Sequence, residues 1–234
     1  MQAVILAGGM GQRLRPMTNV IPKPLMPIGE KAIIELQIEY LKKYGFDEIY
    51  VSTNYKSDYI SKFLGDGLRY GVKLHIYKED VKLGTAGPIR MLEKELLEPF
   101  LVINSDIISD LDLLYFYHYA SNKTEIMTMG VKKVEIPTPY GNVYSSDGRV
   151  VALKEKQNIV IYAMSGLYIL KPDIIKYIPK NTYYGMDQLI NNLLDMNIDI
   201  ATYEINEYWM DIGKYADYER VQKDYIKMKE DKDE

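Results

Sequence analysis

The sequence predicts an α/β fold in which a mostly parallel sheet is covered by helices on both faces. Short apolar runs that read as buried strands alternate with segments of helical period through the first hundred residues. Several of these runs end in glycine or in a polar cluster, as at Gly8-Gly9 and at Asn104-Ser105-Asp106. With 234 residues, the chain can form one core, or a core with a small subdomain.

The elements follow in order. Ala3 to Ala7 is an apolar run stopped by Gly8-Gly9, which predicts a first strand and a tight turn. Ile33, Ile34, Leu36, Ile38, Tyr40 and Leu41 recur at close to the helical period, and Gly45 closes that helix. Residues 47–55 form a strand with Ile49 and Val51 on one face. Residues 57–67 form a helix with Ser57 as its N-cap and Gly65 near its end. Val72, Leu74 and Ile76 alternate along a strand on which His75 faces solvent. The stretch LGTAGPIRMLEKEL starts at a second glycine pair and runs into a helix, and Phe100 to Ile103 is the next strand.

The second half has a different texture. A helix near Asp112–Ser121, with His118 packed among its tyrosines, leads into strands that include a turn at Ser146-Asp147-Gly148. Pro172-Asp173 opens a short helix, MDQLINNLLDMN forms another, and the strands DIATYEI and YWMDIG follow. A last helix runs from Ala216 to about Lys229, and the charged tail 230–234 is expected to fray.

Composition removes several classes of function. The net charge of −4 gives no electrostatic footprint for nucleic acid. The absence of cysteine excludes disulfides, thiolate catalysis and cysteine-based zinc sites, and two separated histidines do not make a histidine metal site. No apolar run reaches the ~18 residues of a membrane span and no signal segment is evident, so the chain reads as cytoplasmic.

The chemistry-bearing residues gather at strand ends. A strand that ends in closely spaced glycines lets backbone N–H groups approach an anion, and Arg13, Arg15 and Lys23 lie within the next residues to supply charge. Gly8, Glu79, Gly84 and Asp106 all fall at the carboxyl ends of predicted strands, where α/β sheets bind ligands. Asp106 and Asp211 each end or follow an apolar strand. Either alone would serve as a turn or cap, but beside a phosphate loop the better reading is a shared Mg²⁺ site. Glu155-Lys156 and Tyr140-Gly141 read equally as a solvated hairpin or as a sugar-phosphate contact.

These motifs together resemble the sugar-1-phosphate nucleotidylyltransferases. LAGGMGQRLRP and PKPLMPIG match the opening signature. LGTAGPI, NSD, YGNV, LKEK, SGLYIL and EYWMDIGKYADYE follow in the family's order, from Met1 to about Val221. The resemblance implies a three-layer, Rossmann-like α/β/α nucleotidyltransferase domain over residues 1–229. Its nucleotide part would span about 1–112, and a smaller sugar-binding β subdomain about 113–229. It further implies that an NTP and a sugar 1-phosphate give a nucleotide sugar and pyrophosphate. Leu6, Ala7, Gly8 and Gly9 would cradle base and ribose, and Gly11 and Arg13 would hold the triphosphate. Lys23 would stabilise the transferring phosphorus, Asp106 and Asp211 would ligate Mg²⁺, and Gly141, Glu155 and Lys156 would bind the sugar phosphate.

Glu79 and Gly84-Thr85 would face the base. A carboxylate accepts from the adjacent N1–H and N2 amino donors of guanine, whereas uracil and thymine suit an amide, so GTP is favoured. Details of EIPTPYG, KNTYYGMDQL and NEYWMDIG resemble the guanylyltransferase branch linked to bacterial nonulosonic (legionaminic) acid synthesis.

Three residues depart from the family pattern. Ser105 stands at a usual glycine, Gln157 follows Glu-Lys where proline is usual, and Met164 replaces an asparagine that touches the sugar. The alternatives are a dTTP- or UTP-using relative, a cytidylyltransferase for a phosphorylated alcohol, and a non-catalytic nucleotide sensor. A retaining glycosyltransferase would need its Asp-x-Asp at a strand end, but Asp110-x-Asp112 lies several residues beyond one and reads as a helix cap. The expected partners are an NTP and a sugar 1-phosphate, with neither nucleic acid nor membrane; homo-oligomerisation is left open.

Overall fold

The computed structural model describes residues 1–233, with side chains described to Lys227. The first half contains β1 (Gln2–Ala7), the two-residue strands β2 (Pro27–Ile28) and β3 (Lys31–Ala32), α1 (Ile33–Lys43), β4 (Glu48–Thr53), α2 (Ser57–Leu64), β5 (Lys73–Lys78), α3 (Gly87–Met91) and β6 (Phe100–Asn104). The second half contains β7 (Ile107–Ser109), α4 (Leu113–Ser121), β8 (Met127–Ile136), β9 (Asn142–Ser146), β10 (Arg149–Lys154), β11 (Ile159–Leu170), α5 (Met186–Asp195), β12 (Ala201–Glu204), β13 (Trp209–Asp211) and α6 (Tyr215–Asp233).

Seven strands form one sheet in the order β12-β8-β11-β6-β1-β4-β5. β1 runs parallel to both β4 and β6, β4 parallel to β5, and β12 parallel to β8. β11 alone is antiparallel to its neighbours β6 and β8, which makes the mostly parallel sheet a mixed one. β1 shows why the centre is buried on both faces. Ala3, Ile5 and Ala7 pack with Ile38, Phe46 and Phe116 on one side, while Val4 and Leu6 join Ile89, Tyr168 and Leu193 on the other. Each fully buried Ile or Leu contributes roughly 1.5–3 kcal/mol.

Local signals set the helix ends. The Glu35 carboxylate accepts from the Ala32 N–H at 3.0 Å as α1 begins. Lys42 and Lys43 complement the dipole of its last turn, and Gly45, at φ +81°, adopts the left-handed conformation that ends it. Asp112 caps α4 by accepting from the Tyr115 N–H at 2.8 Å, as its position in the sequence suggests.

Other expectations need correction. Lys56, not Ser57, occupies the N-cap of α2 in a left-handed conformation, and the Ser57 hydroxyl is instead buried against Thr53 Oγ1 at 2.7 Å. The helix expected after Gly87 is only five residues long. His75 is half-buried, stacked on Tyr50 with ring centres 4.9 Å apart, because its strand has aromatic neighbours on that face. His118 lies exposed on α4. α6 continues to Asp233, beyond the predicted end at Lys229, and Glu234 of the tail lies outside the described residues.

The last helix also closes on the start of the chain. Tyr218 Oη and Gln222 Nε2 each donate to the Pro27 carbonyl at 2.6 Å, and the Gly29 N–H donates to Gln222 Oε1 at 3.0 Å. Phe116 of α4 is fully buried against the sheet, its ring centre 5.1 Å from that of Tyr203 on β12. Phe116→Ala leaves a cavity there and is expected to lower the unfolding free energy by about 3–5 kcal/mol, read by urea denaturation.

Candidate active site

The site lies where the order of strands reverses. From β1 the chain moves outward to β4 and β5 and then returns to β6 on the other side of β1, so a crevice opens beyond the carboxyl ends of β1 and β6. It holds a cavity of about 520 Å³ lined by Leu6, Gly8, Gly9, Gly11, Arg13 and Lys23 from the first loop. Glu79, Gly84 and Thr85 line it from the loop after β5, and Asn104, Ser105 and Asp106 from the end of β6. Ten of the residues singled out in the sequence therefore meet in one cavity.

The first loop is held in shape by its own backbone and by α2. Gly11 has φ +59°, and its carbonyl accepts from Thr18 Oγ1 at 2.8 Å. A Cβ on Gly11 would stand 2.8 Å from the Thr18 methyl and 3.2 Å from Lys23 Cβ, so only glycine fits this crossing. The Lys56 ammonium donates to the carbonyls of Asn19 and Val20, at 2.8 and 2.7 Å, and Tyr55 Oη donates to the Thr18 carbonyl at 3.1 Å. These bonds return the chain to the cavity at Lys23, which is 8% exposed.

The Lys23 ammonium forms an ion pair with Asp106 Oδ2. Asp211 is brought alongside because β13 pairs antiparallel with β7, Asp211 opposite Ile107, and the Ile212 N–H donates to the Asp106 carbonyl at 3.0 Å. Asp106 Oδ1 and Asp211 Oδ1 are both buried without a hydrogen-bond partner. Burial, and then the charge of Asp106, raise the Asp211 pKa, with Lys23 and Arg13 opposing. Two buried, unpartnered carboxylate oxygens, brought to one place by the pairing of β13 with β7, fit a hard divalent cation. Among the described residues no group of three or more acidic or histidine side chains is spaced to hold a metal. A cation on these two aspartates would therefore keep positions for phosphate oxygens and water, as Mg²⁺ does.

Glu79 approaches from β5. Its carboxylate accepts from Ser52 Oγ at 2.7 Å and from the Leu83 N–H at 3.0 Å, one bond to each oxygen. These bonds fix the group in the cavity wall and leave each oxygen a second lone pair. A Cβ on Gly8 would lie 2.7 Å from Glu79 Oε1, so the bare backbone at Gly8 is what lets loop and carboxylate meet.

Five predicted residues do not line the cavity, and Asp211, held beside Asp106 by the β13–β7 pairing, is one of them. Ala7 is buried in the core, because it is the last inward residue of β1. Gly141, Glu155 and Lys156 are exposed on the β9–β10 ribbon, whose strands pair only with each other. Gly141 and Glu155 do meet there, with a Gly141 Cβ 3.1 Å from Glu155 Oε2. Conversely, Lys82, Tyr183 and Gly213 line the cavity without having been singled out. A signal for Gly213 existed: it follows Asp211 by two residues, and its bare backbone lets the Arg13 guanidinium lie 3.2 Å from where a side chain would begin. Tyr183 gave none, since only the tertiary fold brings it to the site.

A glycine-lined, lysine- and arginine-bearing cavity beyond the carboxyl ends of a mostly parallel sheet is the arrangement of an α/β nucleotide-binding protein. The chain belongs to the nucleotidyl transferase family, whose model matches residues 2–228. It is 36% identical to the mannose-1-phosphate guanylyltransferase catalytic subunit beta of Dictyostelium discoideum, over 93% of this chain and 62% of that protein. It is 32% identical to a UTP–glucose-1-phosphate uridylyltransferase of Synechocystis, over 93% of this chain and 61% of the relative. The chain thus spans about three-fifths of the length of these curated relatives. HddC from Yersinia pseudotuberculosis, complexed with GMP-PN, superposes with a TM-score of 0.74 at 29% identity, covering 96% of this chain and 99% of that one. Among the described residues no helix is long and apolar enough to cross a membrane.

The Asp211 environment sets a pH dependence. Its folded pKa lies above the ordinary 3.8, so the native metal-free protein holds a proton that the unfolded chain releases more readily. Asp211 therefore favours the folded state at low pH, and that contribution is lost as pH rises from about 4 through the raised value. Asp211→Asn is expected to flatten this part of the Tm–pH profile and to leave the metal-free protein at pH 7 at least as stable as the wild type, read by thermal melts in EDTA.

Proposed function

We propose that the protein transfers a nucleoside monophosphate from an NTP, preferentially GTP, to a sugar 1-phosphate, releasing pyrophosphate with Mg²⁺ as cofactor. The observation that carries this reading is the cluster of Lys23, Asp106 and Asp211 at the mouth of the glycine loop, with Arg13 beside it.

The formal charge of Lys23 with the two aspartates is negative by one, which by itself would repel a triphosphate. A bound divalent cation reverses that sign and supplies Lewis-acid neutralisation of the phosphate oxygens. Lys23, held by Asp106, is then placed to stabilise charge on the α-phosphate as a sugar-phosphate oxygen attacks in line. Arg13, flat against Gly213, offers its fork to the departing pyrophosphate. The glycine backbone at Gly8, Gly9 and Gly11 admits the phosphates closely enough for main-chain N–H donors to reach them. In this scheme the protein positions reactants and neutralises charge, and no side chain has to form a covalent intermediate.

Glu79 supports the choice of GTP, since its two fixed oxygens can accept together from the adjacent donors of guanine. The Dictyostelium relative's name and the GMP-PN in HddC agree with that choice, while the Synechocystis relative is a UTP enzyme. The sugar phosphate is assigned to Gly141, Glu155 and Lys156, which calls for the β9–β10 ribbon to approach the cavity in the working complex.

Pyrophosphate release across the four triphosphates and several sugar 1-phosphates tests the reading directly. Turnover is expected with GTP and a hexose or amino-hexose 1-phosphate and is expected to cease in EDTA; no turnover with any pair would overturn it. Arg13→Ala is expected to lower kcat/KM about 100-fold or more with little change in Tm, because Arg13 is exposed and packs no core.

A further inference from the structure

Part of the cavity wall is left unused by the proposed function. Lys82 and Tyr183 both line the cavity, and Lys82 Nζ lies 5.5 Å from the centre of the Tyr183 ring. Lys82 stands between Glu79 and Gly84 on the loop that carries the fixed carboxylate. Tyr183 comes from the segment that precedes α5.

That segment is bonded to the loop after β5 through its backbone. The Tyr184 N–H donates to the Leu83 carbonyl at 2.9 Å, and the N–H groups of Ala86 and Gly87 both donate to the Tyr184 carbonyl at 3.0 Å. The Met186 N–H donates to Thr85 Oγ1 at 2.7 Å. Gly84, at φ +82°, is needed for this contact, because a Cβ there would stand 2.5 Å from the Tyr184 carbonyl oxygen. The two loops are thus one unit, and Tyr183 is held at the cavity by the same bonds that shape the loop. Its ring is 54% exposed, so its position there is not explained by core packing.

We propose that Tyr183 and Lys82 complete a nucleobase subsite, the ring stacking on the base and the ammonium donating to a base carbonyl beside the edge that Glu79 reads. This rests on the cavity taking a nucleoside triphosphate. The hydrogen-bonding edge of guanine presents two adjacent donors, the N2 amino group and N1–H, and then the O6 acceptor. Glu79 supplies two acceptors and Lys82 a donor, which matches that order. Uracil and thymine place one donor between two carbonyls, so they satisfy Lys82 but leave one Glu79 oxygen facing an acceptor, and adenine has no carbonyl for Lys82. The cation–π contact keeps the Lys82 head at the cavity before a base arrives. Tyr183 then supplies affinity for any base, because every base has a π-face, while Glu79 selects against uracil and Lys82 against adenine.

The test measures equilibrium binding of the Mg²⁺ complexes of GTP, ATP, UTP and CTP, and of inorganic tripolyphosphate, to the full chain. Tyr183→Ala is expected to weaken GTP binding about ten- to hundred-fold, while Tyr183→Phe stays within about threefold and tripolyphosphate binding is unchanged in both. Lys82→Met is expected to narrow the preference for GTP over ATP at least threefold. Unchanged GTP binding in Tyr183→Ala overturns the stacking role, as does a parallel loss of tripolyphosphate binding, which would mark a collapsed loop. A Lys82→Met variant whose preference for GTP over ATP is unchanged overturns the role of Lys82. If the wild type binds none of the four triphosphates, the proposed function falls together with this inference. If it binds one of them and Tyr183→Ala binds it equally well, only this inference falls.

Discussion

A lysine ammonium buried against one aspartate, with a second aspartate across from it, is the interaction around which the rest of the structure is arranged. Removing charges from water is costly unless they are paired, and here the pairing is one short. Lys23 satisfies one oxygen of Asp106, while Asp106 Oδ1 and Asp211 Oδ1 are left without partners. Such a cluster persists only because separate parts of the fold hold it in place. Thr18, Tyr55 and Lys56 brace the first loop. Gln37, buried on α1, donates to the carbonyls of Asn104 and Ile107 at 2.8 and 2.9 Å and so fixes the turn that presents Asp106. The pairing of β13 with β7 delivers Asp211. Two buried carboxylate oxygens without partners are a local cost in stability that the surrounding fold has to carry.

The cavity divides the work by chemistry. On one side lie bare glycine backbone, Lys23 and Arg13, suited to phosphate oxygens. On the other lies Glu79, a carboxylate directed by Ser52 and by a main-chain N–H, suited to a base with adjacent donors. A side chain buried and hydrogen-bonded at both oxygens has no freedom to adapt, so its orientation is set before a ligand arrives. The β9–β10 ribbon is the opposite case, exposed along both strands and joined to no other sheet.

Much of this was legible in the residues. The parallel strands were evident because each is an apolar run closed by glycine or polar residues, and Gly8, Glu79, Gly84 and Asp106 could be placed together because strands in such a sheet end on one side. What was not legible depended on geometry between distant segments. The antiparallel β11 leaves no trace in a pattern that records burial but not direction. Ser57 looks like a helix cap until Thr53 is found to hold its hydroxyl. Tyr183 carries no local signal, since its place depends on backbone bonds to residues about a hundred positions earlier. Ala7 belongs to the opening motif, but strand alternation turns its side chain into the core.

The joining of β13 to β7, and of Gly213 to Arg13, gives the cavity a history as well as a shape. Its walls are drawn from residue 6 through residue 213, so the two ends of the site are made far apart in time. At roughly 5–20 residues per second of synthesis, a nascent chain carries Arg13 for on the order of ten to forty seconds before Gly213 exists to receive it. A ribosome-bound chain that has not yet reached Asp211 therefore presents the glycine loop without the second carboxylate. The complete cavity exists only once the chain has been made through residue 213.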